Sequence, residues 1–127
     1  MKKLTDPKLR KKLIKECDNL VAQIVKAKDP NCVICTFRGE KRSFLMEAGH
    51  VIPKKKSALL RWDLHNVFTQ CQYHNSLHRF DTYPYDEWYI ATFGVEAWNA
   101  LHEKRKQIKS WKIWELEELR DELKLML

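Results

Sequence analysis

The chain has 127 residues and a mass of 15.3 kDa, a length that sets the expectation of one domain over residues 1–127. Hydrophobic residues make up 44% against only 3 Gly and 4 Pro, which argues against a disordered or linker-rich chain, and no apolar run is long enough to span a membrane. The formal net charge of +7 and a pI of about 9.3 point to a polyanionic partner, of which nucleic acid is the commonest.

Met1-Lys2-Lys3 is followed by no apolar stretch, so secretion through a signal peptide is not expected. Asp6 as N-cap and Pro7 at the first helical position open a helix predicted over 6–28. Leu9, Leu13, Cys17, Leu20, Val21 and Ile24 recur every three to four positions and make one apolar stripe, which Asp29-Pro30 ends. Cys17 sits on that stripe and is expected as a core thiol. Lys8, Arg10, Lys11, Lys12 and Lys15 take the other face, as a solvated surface or a phosphate contact.

The segment 31–80 changes character, with short elements and clustered Cys, His and Asn. Phe44-Leu45-Met46 runs on through Gly49 and His50 as a strand that Pro53 stops. Lys54-Lys55-Lys56-Ser57 is a basic loop, Asn66–Gln70 a second strand, and a helical turn or two follows from Cys71 to Phe80. From 84 to 127 the pattern is helical. Pro84 starts a helix through Trp88, Tyr89 and Phe93 that Gly94 closes, a second runs from Val95 through Trp98 and Leu101 to Ile108, and a third starts at about Lys112 with Leu116, Leu119, Leu123 and Met126 on one stripe. The tryptophans are assigned mainly to core packing.

Cys32-x2-Cys35 and Cys71-x2-His74 form the strongest local signal. A tetrahedral zinc takes four soft or borderline ligands, and each C-x2-[CH] turn offers two from one tight loop. Four cysteines in a chain read as intracellular suggest metal before disulfides, with Cys17 standing apart. Zinc at these four positions would staple the segment before the first strand to the start of the helix after the second.

Between the two halves of this site sit His50 and Asn66. Hydrolysing a phosphodiester needs a water deprotonated in line with the leaving 3′ oxygen, and a cation on the scissile phosphate. A histidine with an ordinary pKa of about 6.5 suits the first task near neutrality, and His50 at a strand end before a basic loop would face the phosphate. Asn66 would pin that loop and orient His50. Asn75 and His78 are three apart on one helix face, so both can reach a divalent ion, Mg²⁺ or Mn²⁺. Glu47 falls on the opposite face of an ideal strand from His50, and a bend at Gly49 would bring its carboxylate round. Arg38, Lys41, Arg42, Lys54, Lys55, Lys56 and Arg61 surround these residues in sequence and are candidates for phosphate contacts, which position a backbone and carry no base code. His65 and His102 are read as ordinary surface residues.

The order Glu47-Ala48-Gly49-His50, Asn66, Cys71-Gln72-Tyr73-His74-Asn75 resembles the HNH, or ββα-metal, nucleases and the endonuclease VII family of junction resolvases. The closer resemblance is to the NinG/Rap recombination nucleases of lambda-like phages, over roughly residues 8–125. It is carried by Asp29-Pro30-Asn31-Cys32-Val33-Ile34-Cys35, Ala48-Gly49-His50, Leu60-Arg61-Trp62, Asn66, Gln70-Cys71 and His74-Asn75, with a weaker helical match at Phe93-Gly94-Val95-Glu96-Ala97. Three positions depart from that pattern: Glu47 stands where the family tends to have Asp, His74 replaces a fourth zinc Cys, and Leu77 occupies the place of a histidine found one residue further on, at His78. The family's long basic N-terminal extension is also missing.

The resemblance implies an α+β fold, with a zinc-stapled ββα-metal core at 31–80 flanked by the N-terminal helix and C-terminal helices. It also implies a metal-dependent DNA endonuclease acting on branched recombination intermediates, in the cytoplasm of a bacterial or phage-infected cell. The alternatives are an HNH nickase indifferent to branches and a zinc-stabilised DNA-binding module without activity, for which Gly49 in place of an acidic ligand leaves room. His74-x3-His78 also allows a site in which both histidines hold the catalytic metal. Resolving a junction calls for two symmetric cuts, so a homodimer is expected, with Trp114, Leu116, Leu119, Leu123 and Met126 as its apolar stripe or, failing that, as part of the chain's own core.

Overall fold

The computed structural model describes residues 6–127; the basic start Met1-Lys2-Lys3 lies outside the described residues. Helix α1 runs Asp6–Lys28 and buries Leu13, Cys17, Leu20, Val21 and Val25, the apolar stripe of its sequence with Val25 in the place expected for Ile24. A short helix not expected from the sequence, α2 (Val33–Arg38), starts inside the first cysteine pair and ends at Gly39, whose φ of 68° is the left-handed conformation that favours glycine at a helix C-terminus. Strands β1 (Met46–His50) and β2 (Val67–Cys71) pair antiparallel, with Met46 opposite Cys71 at one end and His50 opposite Val67 at the other. Helix α3 (Gln72–Leu77) follows β2 without a break. Then come α4 (Tyr83–Phe93), α5 (Val95–Lys104) and α6 (Ile113–Lys124). α5 stops short of its expected end, and Ile108 is fully exposed beyond it.

The architecture is α+β, a two-stranded sheet among helices. The sheet feeds two cores, with the neighbours Val67 and Phe68 pointing to opposite faces. Val67 and Ala48 join the cluster of α1 and α6, where Trp62 also packs. Phe68, Met46 and Cys71 join the cluster of α2, α4 and α5 around Tyr85, Trp88 and Leu101. Polar bonds tie the layers together: Thr69 Oγ1 donates to the Val25 carbonyl at the end of α1, and Tyr85 Oη donates 2.7 Å to the Gly49 carbonyl.

Three of the five residues of the C-terminal stripe pack in the chain's own core. Leu116 and Leu123 are buried against α1, Leu119 packs on the same cluster, and Cys17 lies at that contact as a fully buried thiol pushed up to about 11 by desolvation. Trp114 and Met126 are the exposed members of that stripe. The reason is geometric: α1 lies on the sheet and α6 on α1, so the two amphipathic helices cover each other's apolar sides. No described helix is long and apolar enough to cross a membrane.

Candidate metal centre and the adjoining histidine groove

Each half of the Cys/His cluster is a short helix begun by a cysteine. Cys32 caps α2 and its Sγ accepts from Cys35 N at 3.4 Å; Cys71 caps α3 and its Sγ accepts from His74 N at 3.5 Å. The second ligand of each pair therefore sits one turn in, on the same side as the first. The hairpin brings the two turns together, and the four ligand atoms lie within 4.8 Å of one another, all from buried residues.

Three sulfurs stand 3.4–3.5 Å from His74 Nδ1, and Cys35 Sγ is 3.8 Å from Cys71 Sγ. Zinc bonds of about 2.3 Å to sulfur and about 2.0 Å to nitrogen, at tetrahedral angles, imply edges of about 3.8 Å for S···S and about 3.5 Å for S···N. The site has the dimensions of a structural zinc site, and Cys32, Cys35, Cys71 and His74 could hold one ion. Outside it, His74 Nε2 lies 3.0 Å from Glu40 Oε1, an ion-pair distance at which this buried oxygen makes no hydrogen bond, and a small turn of the ring or carboxylate would let it orient a ligating imidazole. Burial pushes the Cys35 thiol up to about 12, so thiolates here call for a cation to replace their protons. Glu40 carries no motif; its place one residue after the Gly39 cap is the only signal for it in the sequence.

At the other end of the hairpin, His50, Lys54 and Arg61 line a groove of about 290 Å³ together with Asp18 and Asn19 of α1. His50 Nε2 lies 2.8 Å from the Arg61 carbonyl. A carbonyl only accepts, so this nitrogen carries the proton and Nδ1 is left as the basic one. Desolvation lowers the His50 pKa below the ordinary histidine range and nearby Lys54 and Arg61 act the same way, while the Arg61 carbonyl and Asp18 oppose them.

The stretch between His50 and β2 is held from inside. Asn66, fully buried, accepts from Ile52 N at 2.8 Å through Oδ1 and donates through Nδ2 to the carbonyls of Ile52 and Leu60 at 3.0 and 3.1 Å. The residue beside Leu60 is Arg61, the one whose carbonyl meets His50. From α1, Asp18 accepts two bonds from Arg61 at 3.0 and 2.7 Å and a third from Trp62 Nε1 at 2.8 Å. Burial raises the Asp18 pKa, but these bonds outweigh it and the carboxyl stays below its usual range. An acid in a basic helix is the only hint the sequence holds of this role.

Other candidates separate. Asn75 Nδ2 donates to Glu47 Oε1 at 2.8 Å, joining α3 to β1. Glu47 lines the same groove as His50 despite its odd spacing in the strand. His78 closes α3 as a buried residue: Nε2 lies 2.8 Å from the Val51 carbonyl, the ring stacks edge-on against Tyr85, and buried Nδ1 has no hydrogen-bond partner. Beside these residues Gly49 leaves room for Gln70, whose amide lies where a β-carbon on Gly49 would fall, at 1.9 Å.

The cations divide as well. Arg61 is committed to Asp18 and is not a free phosphate ligand; Lys54 lies 4.0 Å from the same carboxylate. Arg38 reaches Glu87 at 3.5 Å, and Arg42 reaches Glu40 at 3.5 Å while lying over the Tyr73 ring. Lys41, Lys55 and Lys56 are exposed. His65 is exposed beside Asp63, but His102 is half-buried and stacks on Trp98 with centroids 3.9 Å apart.

No curated protein and no solved structure matches the chain. The family model described as Bacteriophage Lambda NinG protein matches residues 1–127, the whole of the sequence, with the cysteine knuckles, His50 and Asn66 all inside it. The chain therefore belongs to the family of the bacteriophage lambda NinG protein.

Proposed function

We propose that this protein is a metal-dependent DNA endonuclease of the HNH, or ββα-metal, type, acting in the phage-infected cell on branched recombination intermediates such as four-way junctions or D-loops. The observation that carries the reading is His50: a groove-lining imidazole with one nitrogen bound to a carbonyl, the other left basic, and a pKa lowered by burial so that the neutral form prevails at pH 7. In that role Nδ1 takes the proton of a water that attacks phosphorus, and the P–O3′ bond breaks. Asn66 holds the 51–66 loop so that the Arg61 carbonyl keeps the ring aimed.

The residues near β1 and α3 suit a divalent cation. Glu47 supplies one carboxylate, Asn75 an amide oxygen, and His78 a buried Nδ1 with no hydrogen-bond partner. Mg²⁺ is commonly held by one or two carboxylates plus substrate phosphate and water. Bound there, the ion would neutralise charge on the phosphate and the leaving oxygen. Lys54, Lys55 and Lys56 would follow the phosphate backbone. The branched substrate rests on the family alone. Paired cuts on a junction call for a two-fold dimer, which must use a surface other than the Leu116–Leu123 side of α6.

The test compares a four-way junction with its linear arms, in Mg²⁺ and without added divalent ion. Symmetric junction cuts that require Mg²⁺ and His50 are expected. Equal rates on linear duplex would reduce the protein to a non-specific nickase, and binding with no cleavage to a zinc-stabilised DNA-binding module.

A further inference from the structure

The turn between α2 and β1 holds an aromatic and basic surface that the chemistry above leaves unused. Phe44 is 96% exposed, yet the chain around it is pinned: Leu45 N donates to Ser43 Oγ at 3.2 Å, and the Leu45 carbonyl accepts from Gln72 N at 2.8 Å. The ring is thus presented to solvent by a fixed backbone. Beside it, the Arg42 guanidinium lies 4.7 Å over the half-exposed Tyr73 ring, with Nε 3.5 Å from Glu40 in a half-exposed pair, and Lys41 is exposed. Lys41, Arg42 and Phe44 line a groove of about 1350 Å³ that runs to Met46. Met46 also lines the His50 groove.

We propose that this groove binds an unpaired DNA strand, with a base stacked on Phe44 and phosphates on Lys41 and Arg42, and that the strand passes Met46 toward His50. The strand's destination rests on the nuclease reading; the binding site stands on the surface itself. Rings beside cations are how single strands are held without sequence preference, because every base has a face to stack. Duplex DNA keeps its bases stacked inward and would meet only the charges. A second copy fits poorly, since two-fold pairing of this patch sets its own Lys41 and Arg42 against each other. The substrate is then one with unpaired nucleotides next to the cut, as at a splayed junction arm.

Anisotropy of a labelled thymidine oligonucleotide and of a blunt duplex, with the zinc-loaded full chain and no added Mg²⁺, tests this. Phe44→Leu should weaken single-strand binding about 5- to 100-fold and leave duplex binding unchanged, and Phe44→Trp should restore it. Unchanged single-strand binding by Phe44→Leu, an equal loss on duplex, or a dimer that Phe44→Leu dissociates would each overturn the site. Phe44-dependent binding by a chain that never cuts would instead overturn the nuclease reading and keep the strand site. Junction cutting at the wild-type rate by a Phe44→Leu chain with unchanged binding would do the reverse.

Discussion

At one end of the two-stranded sheet, Met46 faces Cys71, one of four buried side chains that could hold a metal; at the other, His50 faces Val67 and lines an open groove. The first end is closed. Its four donors point at each other and a carboxylate stands behind the histidine, so none of the four is left to act on a substrate. The second is held from behind by Asn66 and Asp18 and keeps basic nitrogen and cations on its open side. A hairpin only five residues long on each strand can bring both ends into register because each end has its own anchor. That contrast, a closed site against an open one, is the one seen between structural and catalytic metal sites.

The contrast breaks most visibly at the closed end. Cys71→Ser should leave the chain largely unfolded, since a structural zinc contributes on the order of 10 kcal/mol to folding. Elemental analysis with far-UV circular dichroism checks it: about one tightly held zinc per folded chain is expected, and a folded, zinc-free wild type would refute the assignment. At the open end, His50→Ala should keep the melting temperature and zinc content but lower cleavage by about 10²–10⁴-fold, the usual cost of a lost general base. Fold and rate should thus respond to different mutations.

Smaller effects sharpen the boundary. Leu116→Ala should destabilise the protein by about 2–5 kcal/mol through the cavity left against α1, with no change in the oligomeric mass measured by light scattering; a loss of mass would restore the stripe to an interface. Glu40→Gln should keep the fold and weaken zinc affinity about 10–100-fold in a chelator competition. Acidification should be the mildest perturbation. The folded His50 takes a proton less readily than the unfolded chain does, so stability falls as pH drops from about 6.5 toward its lowered pKa and levels off below it. The acid limb of cleavage should have its midpoint below about 6.5 for the same reason, and a midpoint above that value would speak against His50 as the base.

Much of this was legible along the chain where the determining spacing is short. The α1 stripe, the proline and glycine stops, and the pairing of Cys32 with Cys35 and of Cys71 with His74 all depend on residues within a turn or two of each other, and local geometry alone sets which of them share a side. The positions of β1 and β2 and the helix start at Cys71 lay within a residue or two of their expected places. What stayed hidden depends on contacts between residues far apart in sequence. Asp18 under Arg61 and Trp62, Glu40 behind His74, and Asn75 against Glu47 are single side chains whose partners lie on other elements.

The same distinction settles the ambiguous cases. An apolar stripe on α6 reads alike for a dimer and for a core, and only the approach of α1 decides it. Arg61 counts as one more cation in the sequence, but its charge is spent on Asp18 once α1 packs against the loop. The sequence by itself determined which residues could bind a metal or take up a proton, because side-chain type and short spacing are properties of the chain. Which of those groups face each other, and which charges remain free, was decided by the tertiary structure, because burial and pairing are set by surfaces that the sequence brings together only on folding.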